Sequence, residues 1–227
     1  MSISTRKVSG RRSGSARDAR KAGLSPLARV GIMVAAALLA LGIIFFAFNR
    51  GGGAADAGKY PFQVGRPGPG QAAPEIKLPS TDGATFDLAA VRGQSVLLYF
   101  QEGVGCQPCW DQIKDIEAHR DQFTALGIDR IVSVTTQPLD VVKQKAQLEA
   151  IHTPVLSDPN LDASHAYQAN LFGMMGTSMD GHSFILVGKD GVIRWRADYG
   201  GAPKYTMYVP VSNLTADIGA GLKGTAA

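Results

Sequence analysis

The chain has 227 residues and a formal net charge of +4, so it is long enough for one domain of ordinary size with flanking segments. The charge is unevenly distributed: residues 1–29 carry eight lysines and arginines against one acid, a net of +7, and the rest of the chain carries −3. The basic character therefore belongs to a tail and not to the folded part. This argues against a nucleic-acid-binding domain, and we expect no nucleic-acid partner.

The first 48 residues combine this tail with an uncharged apolar segment. Residues 1–29 are rich in Ser, Gly and Arg and are predicted to be a disordered cytoplasmic tail. Val30–Phe48 follows with nineteen uncharged residues, and a helix of that length reaches about 28 Å, close to the hydrocarbon thickness of a bilayer. Since Lys and Arg concentrate before this segment, the pattern predicts a single-pass plasma membrane protein with a cytoplasmic N-terminus and an extracytoplasmic C-terminal domain. A cleaved secretory signal is the alternative, because small residues follow the apolar segment.

Residues 49–72 are predicted to be a linker that lifts a domain off the membrane. The segment contains seven glycines and three prolines but few large apolar residues. The folded domain is expected to run from residue 73 to residue 222, a length that suffices for a single core. With either an anchor or a cleaved signal, this domain would face an oxidising compartment.

The first half of the predicted domain alternates between strand and helix patterns. Ile76–Leu78 and Thr85–Leu88 flank an Asp-Gly turn and predict a short hairpin. Val96–Phe100 is a continuous apolar run that is typical of a central strand. Apolar residues at helical spacing predict a helix over 108–127, and Ile128–Thr135 predicts a second buried strand.

The second half continues this alternation and adds a hairpin and a closing helix. Its predicted elements are a helix Pro138–Ala150, a short strand Thr153–Leu156, a helix Leu161–Phe172, a hairpin of Ser183–Val187 with Val192–Ala197, and a helix Ser212–Leu222. Together the elements predict an α/β fold in which a mixed sheet carries helices on both faces. Functional sites in such sheets form at the carboxyl ends of strands.

Both cysteines of the chain lie just after the predicted central strand, in the sequence Cys106-Gln107-Pro108-Cys109. A Cys-x-x-Cys pair between a strand and a helix is typical of a thiol/disulfide redox centre. The first sulfur meets the unpaired N–H groups and the positive dipole end of the helix, which lowers the pKa of that thiol. The second cysteine, about one helical turn on, can close a disulfide with the first.

Three other interpretations of the cysteine pair stay open. A structural zinc site needs four ligands, and the four histidines of this chain lack the close His-x3-5-His spacing that would complete one. A purely structural disulfide would close a very small loop and would stabilise the fold little. Two inert buried thiols are the third interpretation. Redox chemistry is favoured, and no resident metal or cofactor is expected.

Several short motifs resemble the redoxin group, which includes the alkyl hydroperoxide reductase/thiol-specific antioxidant proteins and membrane-tethered thioredoxin-like proteins. The motifs are Ala73 to Pro79 (APEIKLP), Asp82-Gly83, Phe86 to Leu88 (FDL), Val91 to Gly93 (VRG), Val96 to Phe100 (VLLYF), Cys106 to Cys109 (CQPC) and Phe184 to Gly191 (FILVGKDG). The resemblance implies a thioredoxin fold, an oxidoreductase activity and thiol or disulfide proteins as partners. It also implies that Cys106 is the exposed nucleophile and Cys109 the buried resolving thiol.

The resemblance suggests which residues bind a substrate. The sequence also departs from the thioredoxin pattern at three positions. The suggested residues flank the cysteine pair or face it from the next loop: Gly105, Pro108, Trp110, His182 and Ser183. Gly105 replaces the aromatic residue that often precedes the first cysteine, and Gly181-His182-Ser183 replaces the usual cis-proline. Phe100 occupies the position of a buried acid, so that Glu102 is the nearest carboxylate and can be interpreted as a solvated loop residue.

Two alternative functions are weighed against disulfide exchange. The peroxiredoxin branch of the family uses a hydroxyl residue three before its reactive cysteine, a proline seven before it and an arginine, whereas this chain has Gly103, Tyr99 and no arginine in Gly181-His182. Peroxide reduction is therefore less well supported than disulfide exchange. A copper-binding module similar to the copper-delivery redoxins is the other alternative, because Met174, Met175, Met179 and His182 cluster in one loop and could bind copper(I) together with Cys106 and Cys109. Methionines that fill an irregular hydrophobic gap explain that loop equally.

Overall fold

The computed structural model describes residues 31–33, 35–42 and 57–224. They belong to two units, one before and one after residue 47. In the first unit residues 31–33 and 35–42 are helical; the rest of the predicted span Val30–Phe48, together with the tail 1–29, lies outside the described residues. Within the described ranges, no helix combines the length and the apolar character that crossing a bilayer requires.

The second unit is built on a five-stranded mixed sheet and a separate two-stranded hairpin. The strands are β1 (Lys77–Pro79), β2 (Thr85–Asp87), β3 (Val96–Phe100), β4 (Arg130–Thr135), β5 (Val155–Ser157), β6 (Ser183–Val187) and β7 (Ile193–Asp198). β1 and β2 form the hairpin, and the large sheet has the order β5-β4-β3-β6-β7. β3 pairs parallel with β4 and antiparallel with β6. Its five residues are all buried because it is the central strand, as its apolar run predicts.

The helices cover both faces of the sheet, as predicted. They are α1 (Gln107–Ala118), α2 (Arg120–Ala125), α3 (Leu139–Leu148), α4 (Asp162–Ala166) and α5 (Val211–Gly224), with 3-10 turns at Ala89–Val91 and Ala169–Leu171. One core contains apolar residues of α1, α3 and α5, including Trp110 and Leu214. The second core, on the opposite face, contains residues of the β1–β2 hairpin and of the α4 region, including Phe86 and Tyr167. The cysteine pair, at the start of α1, belongs to the first face.

Two predicted helices are interrupted in the structure. The helix predicted over 108–127 divides at His119, whose backbone (φ −124°, ψ 33°) leaves the helical region. The helix predicted for Leu161–Phe172 is α4 followed by a 3-10 turn, because Leu161 and Gln168 adopt positive φ angles of 62° and 52°. Apolar spacing alone did not reveal these breaks, since the side chains on either side still face the core.

Residues 57–72, which belong to the predicted linker, run along the outer edge of β7. The backbone of Gln63 exchanges hydrogen bonds of 3.0 and 2.8 Å with Asp198, and Ile193 bonds to Gln71. These contacts give the edge strand a partner and satisfy backbone groups that would otherwise face solvent. Residues 49–56 of the same predicted linker lie outside the described residues.

A buried ion pair lies under this segment. Arg196 donates two hydrogen bonds of 2.8 and 2.9 Å to the Asp198 carboxylate, and both side chains are fully buried. Asp198 also accepts from the Gly65 N–H at 2.7 Å, and Arg196 donates to the Pro67 carbonyl at 3.0 Å. The guanidinium further lies 5.5 Å from the ring centre of Phe172. Residues 65–67 thus supply hydrogen bonds that help these two charges to be buried.

Candidate active site

The cysteine pair lies where the central strand meets the first helix. β3 ends at Phe100, a five-residue loop follows, and Cys106 is the N-cap residue of α1. The Cys106 and Cys109 sulfurs form a disulfide, with an S–S distance of 2.11 Å and Cα atoms 5.3 Å apart. The predicted disulfide is therefore present, and its first sulfur is placed at the positive end of a twelve-residue helix.

The two cysteines differ in exposure. Cys106 is 9% exposed, whereas Cys109 is 0% exposed and faces the core. The residues immediately around Cys106 that reach solvent are Gly105, Gln107 and Pro108. A partner molecule can therefore approach the disulfide only from the Cys106 side.

The loop before Cys106 is fixed by amide side chains. Gly103 has a φ of +96°, and a Cβ there would collide with Gln137 and come within 2.6 Å of Thr135 Oγ1, so the position needs glycine. The Gln137 carboxamide accepts from the Val104 N–H at 2.8 Å and donates to the Glu102 carbonyl at 3.1 Å. Trp110 donates from its indole N–H to the Gly103 carbonyl at 3.0 Å. These bonds hold the loop in one conformation beside the disulfide.

A buried tyrosine and histidine lie beneath Cys109. The Tyr99 hydroxyl lies 2.9 Å from His182 Nδ1 and 3.4 Å from the Cys109 carbonyl oxygen. Both contacts are satisfied if Nδ1–H donates to the Tyr99 oxygen while the hydroxyl donates to Cys109. His182 Nε2 is buried without a hydrogen-bond partner among the described residues. Burial lowers the pKa of His182 to about 3, so this imidazole is neutral across the physiological range.

Glu102 is buried, in contrast to the solvated position that the sequence suggested. The residue is 6% exposed, and its carboxylate accepts from the Met174 N–H at 2.9 Å. Burial raises the pKa of Glu102 above its ordinary value, although the N–H groups of Met174 and Met175 oppose this shift. The carboxylate thus connects the loop before Cys106 to the loop before β6. Its place between two loops could not be read from its sequence neighbours.

A lysine on α3, which no sequence motif indicated, also contacts the cysteine motif. Lys145 Nζ donates to Gln107 Oε1 at 2.9 Å and to Glu149 Oε1 at 2.6 Å, and it lies 5.8 Å from the Trp110 ring centre. Hydrogen bonds from Lys114 and then from Lys145 lower the pKa of Glu149 to about 2. The four-residue spacing of Lys145 and Glu149 on a predicted helix is a visible signal of their ion pair, but it does not show which face meets α1.

The five predicted substrate-binding residues divide into two groups. Gly105 and Pro108 lie exposed beside Cys106, where a substrate could reach them. Trp110, His182 and Ser183 are fully buried, because Trp110 faces the core from α1, Ser183 begins the strand β6 that pairs with β3, and His182 immediately precedes that strand. In this structure those three side chains support the site from beneath and do not line its surface.

Several residues of the alternative copper-binding set have other partners or are exposed. The two sulfurs are bonded to each other, and His182 Nδ1 contacts Tyr99. Met174 and Met175 are exposed. Over the described residues, no group of three or more His, Cys, Asp or Glu side chains is arranged to hold a metal ion.

Known proteins share this fold and parts of this sequence. Two candidate peroxiredoxins of Mycobacterium tuberculosis, from strains H37Rv and CDC 1551, are each 29% identical over 130 residues, which cover 55% of this chain and 81% of theirs. The crystal structure of the M. tuberculosis peroxidoxin BcpB superposes with a TM-score of 0.55 at 15% identity and covers 67% of this chain and 97% of that one. A candidate protein disulfide isomerase of Bacteroides thetaiotaomicron gives a TM-score of 0.51 at 21% identity, covering 72% and 92%.

These structural similarities establish the thioredoxin-like fold, and the sequence establishes the family. The sequence profile of the AhpC/TSA family matches residues 69–196, which is more than half of the chain. The matched range contains β3 to β6, the first four residues of β7 and the cysteine pair. The chain belongs to the AhpC/TSA family of redoxins.

Proposed function

We propose that this redoxin is a thiol/disulfide oxidoreductase that works through Cys106 and Cys109. The observation that carries the proposal is a disulfide at a helix N-terminus between two cysteine residues of unequal exposure, 9% for Cys106 and 0% for Cys109. A nucleophilic sulfur must be reachable and stabilised as a thiolate, and a resolving sulfur must be close to it but shielded from competing substrates. Cys106 meets the requirements for the nucleophilic sulfur, and Cys109 meets those for the resolving sulfur.

The reaction proceeds by two exchanges that conserve electrons. In the reduced protein the Cys106 thiolate attacks one sulfur of a substrate disulfide; the substrate S–S bond breaks, and the released thiolate takes a proton from solvent. The Cys109 thiol then loses its proton and attacks Cys106 Sγ, which expels the second substrate thiolate. The substrate gains two electrons and the Cys106–Cys109 disulfide forms. Starting from the oxidised pair, the same steps in reverse oxidise a substrate dithiol.

Peroxide reduction is a second candidate, because the M. tuberculosis relatives are named as candidate peroxiredoxins. The groups around Cys106 support it less well. Gly103 offers no hydroxyl, and the Tyr99 hydroxyl is occupied by His182 and the Cys109 carbonyl. Arg196 uses its guanidinium on Asp198 and Pro67. Polarising a peroxide O–O bond requires donors that point at the reactive sulfur.

Parallel rate measurements separate the two functions. We expect the reduced full-length protein to react with a model protein disulfide such as insulin about tenfold or more faster than with hydrogen peroxide at equal concentration, because exchange needs only the thiolate. Stopped-flow tryptophan fluorescence follows both reactions, because Trp110 lies in α1 directly after Cys109. The Cys106→Ser variant serves as the control and should be inactive in both. A faster peroxide reaction that yields a sulfenic acid on Cys106 would replace disulfide exchange with peroxidase activity.

We further propose that residues 30–48 anchor the protein in the plasma membrane, with the redoxin domain outside the cytoplasm. Support comes from the nineteen uncharged residues and from the eight basic residues that precede them. We expect the full-length protein to stay with membranes after alkaline carbonate washing, and a reporter enzyme that is active only outside the cytoplasm to work when fused after residue 227. Recovery of the full-length chain in the soluble fraction contradicts the anchor, and a shortened N-terminus indicates a cleaved signal.

A further inference from the structure

Lys145 brings a positive charge to the cysteine motif from a different helix. Its ammonium group donates to the side chain of Gln107, the residue that follows Cys106, and lies near the ring of Trp110, the residue that follows Cys109. The Lys145 side chain is only 20% exposed, so its charge is less screened than that of a freely moving surface lysine. These contacts place the ammonium at the first turn of α1, on which Cys106 is the N-cap.

We propose that Lys145 is a positioning residue that stabilises the Cys106 thiolate, held in place by Gln107 and Glu149. This inference rests on the proposed disulfide exchange, because it assigns a determinant of the reactivity of that same sulfur. A cation close to a thiolate favours the ionised form, and it adds to the effect of the helix N-terminus. Stabilising the thiolate also stabilises the reduced protein and makes the disulfide a stronger oxidant.

Other charged groups near the cysteine motif modify the influence of Lys145 on the Cys106 thiolate. On α3, Glu149 neutralises part of the Lys145 charge and is shared with Lys114 of α1. On α1, Asp111 accepts a hydrogen bond from the Gln107 amide at 3.1 Å. In the preceding loop, Glu102 is a buried acid. Lys145 thus contacts Glu149 directly and Asp111 through Gln107, and removing its positive charge leaves a more negative environment at the first turn of α1.

The test measures ionisation of Cys106 directly in the reduced full-length protein. In a Cys109→Ser background only one thiol remains, and its thiolate absorbance is followed against pH. We expect Lys145→Gln to raise the pKa of Cys106 enough to reduce the thiolate fraction about threefold below that pKa. In the protein with both cysteines, the equilibrium constant with glutathione should shift about threefold towards the disulfide, or about 14 mV to more negative potential.

Three further variants test the predicted direction of the change in the thiolate fraction and provide a control. Glu149→Gln should shift the thiolate fraction in the opposite direction, because the glutamine amide oxygen can still accept from Lys145 Nζ while the negative charge that compensates Lys145 is lost. Lys145→Arg should keep the wild-type value. Lys143→Gln, which removes a charge two residues earlier on α3, should change the pKa of Cys106 little. A merely structural role for Lys145 would not produce opposite signs for the two members of one ion pair.

An unchanged pKa of Cys106 in Lys145→Gln would overturn the proposal, and so would either of two other results. One is an equal change in Lys145→Gln and Lys143→Gln, which would reflect net charge alone; the other is a change of the same sign in Lys145→Gln and Glu149→Gln. The thiolate titration uses no substrate, so it can succeed even if the protein fails to exchange disulfides. Conversely, active exchange with an unchanged pKa in Lys145→Gln would remove only the role of the lysine.

Discussion

Replacing Cys109 with serine should turn the protein into a trap for its substrates. Cys106, the more accessible of the two cysteines, can still attack a disulfide, but the buried sulfur that would release the product is gone, so the mixed disulfide accumulates. We expect covalent adducts on Cys106 in cells that express the variant, and a fall in disulfide turnover by roughly 10²-fold or more. Non-reducing electrophoresis followed by mass spectrometry of the linked peptides identifies both the adduct and the attacking residue.

The matched control for this trap is Cys106→Ser. It keeps one cysteine, but that cysteine is fully buried and should form few adducts. If Cys106→Ser captures partners as well as Cys109→Ser does, the division of roles between the two sulfurs is wrong. If neither variant captures a partner while the wild type reduces insulin, the exchange does not pass through a mixed disulfide on this pair.

The second large effect concerns acid stability. Burial lowers the pKa of His182 to about 3, whereas a histidine in the unfolded chain titrates near about 6.5. Between these two pKa values the histidine is protonated in the unfolded chain but neutral in the folded protein. Its contribution to the free energy of unfolding is therefore complete above about pH 6.5 and is lost as the pH falls towards 3. The loss is on the order of 4 kcal/mol over that range, or about 1.4 kcal/mol per pH unit.

The His182→Gln variant isolates this contribution. Glutamine keeps a polar group near the Tyr99 hydroxyl but does not titrate, so its unfolding free energy should fall less steeply with acid than that of the wild type. Chemical denaturation at several pH values gives both slopes. His152→Gln removes a histidine with a 90% exposed side chain and should retain the steep wild-type slope. Equal slopes for wild type and His182→Gln would show that the buried imidazole is not the acid-sensitive group.

The strands and the cysteine geometry were predictable because they depend on local patterns. Five consecutive apolar residues in Val96–Phe100 are typical of a strand buried on both faces, and the structure confirms it at the centre of the sheet. The spacing of the two cysteines predicted that they could bond across one helical turn, which the disulfide confirms. In both cases the residues that matter are neighbours in sequence.

The supporting residues were not predictable because their roles depend on contacts between distant segments. Glu102 is buried only because the loop containing Met174 folds over it, 72 residues further along the chain. Lys145 meets Gln107 across 38 residues, and nothing in the pattern of either helix determines that contact. The buried His182 likewise contacts Tyr99 of β3, 83 residues earlier in the chain. Such positions follow from how elements pack together, which sequence periodicity describes only coarsely.

The contacts of residues 65–67 with Arg196 and Asp198 decide where a recombinant fragment of this protein can begin. A fragment cut at residue 73, where the composition changes, would strip the Gly65 and Pro67 hydrogen bonds from two charges that are otherwise shielded from water. Starting at residue 57 retains those bonds and also keeps the Gly58 N–H on the carboxylate of Asp217 in the last helix. Residues 57–72, whose composition resembles a linker, cover the edge of the sheet at β7. Fragments for crystallisation or redox titration should include them.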